Sequence, residues 1–148
     1  MSDIVAIAAD HGGFDLKESL VPVIETAGLT VLDLGTTSHE SVDYPEFADA
    51  LAAALAAGRA QRGILICGTG IGISIAANRH SGIRAALCHD GLTARLARQH
   101  NDANVLVLGG RVIGIETAKD CLTTFLDTPF EGGRHARRVA KLGRAVLT

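Results

Sequence analysis

Residues 62–78, RGILICGTGIGISIAAN, decide how the chain is read. Residues 63–67 carry the continuous apolar run Ile64-Leu65-Ile66 of a strand buried on both faces. The run breaks at Gly68-Thr69-Gly70-Ile71-Gly72, and Ile71, Ile75 and Asn78 then recur at helical spacing. A strand, a glycine turn and a helix start bring unpaired backbone N–H groups and the positive end of a helix dipole to one spot, which makes an anion site. Cys67 ends the strand beside that spot, and a thiol so placed is favoured as thiolate. The expectation is a base next to an oxyanion site. Two other readings of the turn stay open. It could be a tight strand-to-helix connection and nothing more. It could also hold a nucleotide, although the pattern is G-x-G-x-G rather than G-x-G-x-x-G and no acidic residue is clearly placed about 20 positions on.

Before this stretch, the apolar run 4–9 ends in Asp10-His11-Gly12-Gly13 and reads as a first strand and its turn. Residues 14–27 show a helical apolar face stopped by Gly28, with Pro22 placed to kink it. A second strand at 30–33 leads into a polar loop over 34–43. Pro45 suits a helix first turn, and an Ala-rich helix follows over 46–57. After it come a strand at 83–88, a helix at 92–100, a strand at 104–108 and a helix at 115–126. A basic helix over 134–146 follows the turn Glu131-Gly132-Gly133. Strand and helix alternate five times, which predicts an α/β fold with a five-stranded parallel sheet covered by helices on both faces. Ligands of such sheets sit outside the carboxyl ends of the strands. Asp10, His11 and Cys67 should share that edge. His100 and Asn101 close the fourth helix and should lie at the opposite, amino edge. If they act in the same site, a second subunit must bring them.

Composition narrows the function classes. The 148 residues are 47% hydrophobic and 3% aromatic, so one domain over 1–148 with an Ala/Val/Ile/Leu core is expected. A net charge of −2 implies no nucleic-acid partner. No apolar run approaches the roughly 18 residues of a membrane span. The start, MSDIVAIAADH, has no basic region of a signal peptide, so a cytoplasmic protein is expected. Cys67, Cys88 and Cys121 form no C-x-x-C pair, which argues against a zinc site or disulfide framework. Cys88 and Cys121 read as packing. His39, His80 and His135 read as surface residues, and His89 is given no role. Asp10-His11 admits an Asx turn as its plain alternative, and Asp43-Tyr44 reads as a helix start. Arg134 and Arg138, four apart, share a helix face that could clamp a phosphate or be a solvated basic face. Arg111, after the fifth strand, is a further candidate.

Taken together, AADHGGFDLKE, DYPEFA, GILICGTGIGISIAAN, GIRAALCHD, ARLARQHNDANVLVLGGRVIG and FEGGRHARR resemble the type B ribose-5-phosphate isomerases, the family shared with bacterial galactose-6-phosphate isomerases. The resemblance covers about residues 3–140. It implies a Rossmann-like three-layer α/β/α sandwich, a homodimer or dimer of dimers with shared sites, and a phosphorylated sugar substrate. The implied reaction interconverts ribose 5-phosphate and ribulose 5-phosphate, in the pentose phosphate pathway, without metal or organic cofactor. In that likeness Cys67 is the base and the backbone of Gly68, Gly70, Ile71 and Gly72 the anion hole. His100 is the ring-opening acid, and Thr69 supports Cys67. Asp10, His11 and Asn101 contact substrate, and Arg111, Arg134 and Arg138 stand on the phosphate side. One branch of the family carries a Glu base at the position of Ile73, which places this chain in the cysteine branch. An isomerase for allose 6-phosphate or galactose 6-phosphate, or a non-catalytic sugar-phosphate sensor, are the competing readings.

Overall fold

The computed structural model describes residues 3–144. Five strands, β1 (Ile4–Ala9), β2 (Thr30–Asp33), β3 (Arg62–Cys67), β4 (Ala85–Leu87) and β5 (Val105–Gly109), form one parallel sheet in the order β2-β1-β3-β5-β4. The helices are α1 (Phe14–Thr26), α2 (Tyr44–Ala56), α3 (Ile71–Asn78), α4 (Gly91–Asn101), α5 (Ile115–Asp127) and α6 (Arg134–Leu142).

Strand alternation sorts the core into two layers. Val5, Ile7, Ala9, Ile64, Ile66, Leu106 and Leu108 pack with residues of α1, α4 and α5. Ala6, Ala8, Leu65, Cys67, Val105 and Val107 face the other way, against α2 and α3. This is the expected Rossmann-like α/β/α sandwich. The helix after β1 covers one face and the helix after β3 covers the other, so the crevice opens between the carboxyl ends of β1 and β3. Cys67 points toward the α2/α3 layer at that opening. Among the described residues no helix is long and apolar enough to cross a membrane.

Several expected boundaries move. α1 runs through Pro22 to Thr26, held to the core by Leu16, Leu20 and Ile24. β4 has three residues, and Arg84 just before it is held by the segment leading into β5: its N–H donates to Asn104 Oδ1 at 2.8 Å and its Nε to Asp102 O at 2.8 Å. α6 ends at Leu142, and the expected end at Val146 lies outside the described residues. The spacing of Ile71 and Ile75 does not mark the buried face of α3. That face is Ile73, Ala76 and Ala77, and the two alanines let the helix lie close to the sheet. Ile71 and Ile75 are 54% and 64% exposed and form an apolar stripe beside the glycine turn.

Candidate active site

Three turns meet at the carboxyl edge, backbone against backbone. After β1, Asp10 is buried, and its Oδ1 accepts the N–H groups of Gly12 (2.9 Å) and Gly13 (3.2 Å). This is the Asx turn, and it fixes the loop. A Cβ on Gly12 would lie 3.0 Å from Gly68 N, so the β1 and β3 turns touch. After β5, Gly110 donates its N–H to Cys67 O at 2.9 Å, and Arg111 donates its N–H to Gly68 O at 2.9 Å. The Arg111 side chain then folds over Gly68, where an added Cβ would meet its Nη1 at 3.2 Å.

Cys67 is buried at the centre of this edge, and its Sγ accepts the N–H of Gly70 at 3.1 Å. Gly70 achieves this by taking φ +80°, a left-handed conformation open to glycine. The N–H of Ile71 is taken by Thr69 Oγ1 at 3.1 Å, so Thr69 caps the start of α3. Among the described residues, no protein acceptor faces the N–H of Gly68, Thr69 or Gly72. The turn therefore uses one donor on sulfur and presents others outward. Such an arrangement sets a sulfur beside N–H donors that can receive charge on an adjacent oxygen.

His11 is half-buried on the β2–α2 side. Its Nδ1 accepts the N–H of Val42 at 3.2 Å, which leaves the proton of the neutral ring on Nε2. Tyr44 does more than begin α2. Its ring lies across the start of α3, so that a Cβ on Gly72 would fall 2.6 Å from Cζ and 2.9 Å from the hydroxyl. No spacing in the sequence joins Tyr44 to Gly72. The contact arises from the packing of α2 on α3.

His100, Asn101, Arg134 and Arg138 stand elsewhere. α4 ends at Asn101, beside the amino end of β5. The five residues of β5, at roughly 3.3 Å each, put about 16 Å between that end and the glycine turn. Within one chain these groups do not meet Cys67. They gather instead around α6, which docks on the end of α4. Glu131 N–H donates to Gln99 O at 3.1 Å, and Glu131 Oε1 stands 3.7 Å from His100 Nε2. His135 is buried, contrary to the surface reading, because it stacks on His100 with ring centroids 4.3 Å apart. Burial, followed by the positive charges of His100 and Arg134, holds His135 below the usual histidine range. Arg134 and Arg138 lie exposed on α6. Ligand atoms of His100, Glu131 and His135 lie within 4.8 Å of one another, a spacing a metal could use. Parallel rings, 13° apart, direct their nitrogen lone pairs side by side rather than to one point, and two arginines add positive charge. The cluster suits an anion better than a cation.

A doubly wound parallel sheet whose carboxyl edge seats a cysteine sulfur against a glycine turn belongs to the class of α/β proteins that bind small ligands at that edge. Comparison with known proteins is specific within that class. The sequence profile of the family described as Ribose/Galactose Isomerase matches residues 5–142. Ribose-5-phosphate isomerase B of Escherichia coli is 50% identical over 135 residues, 91% of each chain. D-erythrulose-4-phosphate isomerase of Pectobacterium atrosepticum is 48% identical over 140 residues, covering 94% of this chain and 92% of the relative. The crystal structure of a Thermotoga maritima ribose 5-phosphate isomerase superposes with TM-score 0.93 at 52% identity, covering 97% of this chain and 99% of the other. The chain belongs to the ribose/galactose isomerase family, and it is a sugar isomerase.

Proposed function

We propose that the chain interconverts D-ribose 5-phosphate and D-ribulose 5-phosphate through an enediolate. The observation that carries this is the Cys67 sulfur seated on the Gly70 N–H at a turn with further donors free. In the open-chain aldose, the Cys67 thiolate takes the proton from C2. The C2–H electron pair becomes the C1=C2 double bond, and charge moves onto O1, where the free N–H groups of Gly68, Thr69 and Gly72 receive it. The O2 proton passes to O1 as C1 takes back a proton from the Cys67 thiol, which restores the thiolate and leaves the ketose with its C2 carbonyl and C1 hydroxyl. A donor of this kind contributes about 3–4 kcal/mol, and the positioned base about 10²–10⁴-fold.

His100 acts as the acid that opens the furanose ring. Asp10, His11 and Asn101 contact the substrate, and Arg111, Arg134 and Arg138 its phosphate, whose binding energy holds the open chain in place. These roles need two copies of the chain. A homodimer in which α4 and α6 of one subunit close over the glycine turn of the other would bring the two half-sites together. The exposed Ile71–Ile75 stripe beside the turn supports such an interface.

The test is NMR of the purified protein with ribose 5-phosphate in D₂O, beside allose 6-phosphate and D-erythrulose 4-phosphate. Ribulose 5-phosphate carrying solvent deuterium is the expected product, formed faster than with the other sugars. Cys67→Ala should abolish it. A faster reaction with the hexose or tetrose would reassign the substrate. Tight binding without exchange would make the protein a sensor.

A further inference from the structure

Among the described residues, Lys17 is the charged side chain that is fully buried, 1% exposed near the start of α1. All three ammonium protons are taken. Nζ donates to Asp33 Oδ2 at 2.7 Å, to Asp33 Oδ1 at 3.0 Å and to Glu18 Oε1 at 2.9 Å, and it stands 5.5 Å from the centre of the Phe14 ring. Buried pairs of this sort are often replaceable by apolar residues without loss of stability, so its value lies in what it fixes.

What it fixes is the root of the loop over 34–43. Asp33 ends β2, and its Oδ1 also accepts the Gly35 N–H at 2.9 Å. Gly35 O then accepts the Ala9 N–H, and Thr36 N–H donates to Ala9 O, both at 2.7 Å. The far end of the loop supplies the Val42 N–H to His11 Nδ1 and delivers Tyr44 onto Gly72. Between root and end, His39 Nε2 stands 2.7 Å from Asp15 Oδ1, an exposed contact of small worth, and the His39 ring packs edge-on to Phe14.

We propose that Lys17, through Asp33, is a positioning residue for the substrate pocket. It sets the path of the loop, and the loop orients the His11 ring and places Tyr44. Cys67 ends β3 and its N–H partner Gly70 stands just before α3, and neither takes part in this chain of contacts. The inference uses the proposed reaction for its kinetic readout and a second readout that needs no substrate.

The experiment compares Lys17→Met and Asp33→Ala with the wild type. Asp33→Ala leaves Lys17 its Glu18 partner, so a paired ammonium remains buried even if Lys17→Met does not fold. Expected is a rise in KM for ribose 5-phosphate of about tenfold with kcat held within about twofold, because binding groups shift while the base does not. In ¹⁵N-edited spectra of the His11 imidazole without substrate, the Nε2–H tautomer of the wild type should give way to a mixture. A fall in kcat at unchanged KM would mark general loss of folded enzyme and overturn the proposal. Unchanged His11 spectra in both variants would overturn it as well. A wild type inert toward ribose 5-phosphate whose His11 tautomer still depends on Lys17 or Asp33 would refute the proposed reaction and support the positioning role.

Discussion

Gly70→Ala tests the geometry of the turn most directly, and its size can be worked out. Gly70 holds φ +80°, which costs an L-residue about 1–2 kcal/mol. The new Cβ would lie 2.5 Å from Leu87 Cδ1, which can swing away, and 3.1 Å from the carbonyl carbon and oxygen of Leu108. Leu108 sits in β5 with β3 paired beside it, so its backbone yields little, and crowding of this kind costs about 1–3 kcal/mol. The sum, roughly 2–5 kcal/mol, corresponds to a fall in Tm of roughly 10 °C for a chain of this size. The Gly70 N–H would also move off the Cys67 sulfur. Loss of a hydrogen bond to a charged group, about 1.5–3 kcal/mol, lowers kcat by about 10- to 100-fold. Circular dichroism melts give the first number. Deuterium incorporation at room temperature, where the variant remains folded, gives the second. A variant with wild-type Tm and wild-type exchange would show that neither the left-handed turn nor its bond to sulfur matters, and the account of the site would fail.

Three further outcomes are expected. His100→Asn should slow turnover of ribose 5-phosphate far more than that of an analogue that cannot cyclise, and equal losses on both would remove His100 from ring opening. Arg134→Ala should raise KM by about tenfold or more through loss of a charge-assisted phosphate contact, and steady-state kinetics with an unchanged KM would take it out of the phosphate site. His135 is held below its ordinary value, so the unfolded chain takes up its proton first as pH falls. Stability should therefore drop as pH falls through about 6.5, and His135→Gln should lessen that drop in urea titrations at paired pH values.

The strand, glycine turn and helix at 62–78 were legible because each leaves a local mark: an apolar run, a cluster of glycines, a periodicity. So were the shared edge of Asp10 and Cys67 and the distance of His100 from them, since alternating strands and helices fix which edge a residue occupies. The strand order was not legible, because nothing local says that β5 inserts between β3 and β4. Tyr44 was missed because its meaning depends on α2 lying against α3 where Gly72 leaves room. His135 was misread because a histidine among arginines looks solvated until α6 docks and stacks it on His100. Ile71 and Ile75 misled for the opposite reason. Their spacing is that of a helix face, but a face turned outward. Nothing in the sequence sets Lys17 apart from any other helix lysine, and only its pairing with Asp33 at the end of β2 explains its burial.

The span of β5 between the two half-sites has a consequence for how activity is inherited in mixtures. In the proposed dimer, a subunit damaged at Cys67 and one damaged at His100 would be inert alone. Paired, they would concentrate both injuries in one site and leave the other whole. Random exchange of equal amounts would restore about a quarter of full activity, since half the pairs are mixed and each holds one sound site of two. Dilution would act in reverse, extinguishing turnover as copies part. Abundance of the chain would then set the rate more steeply than in proportion.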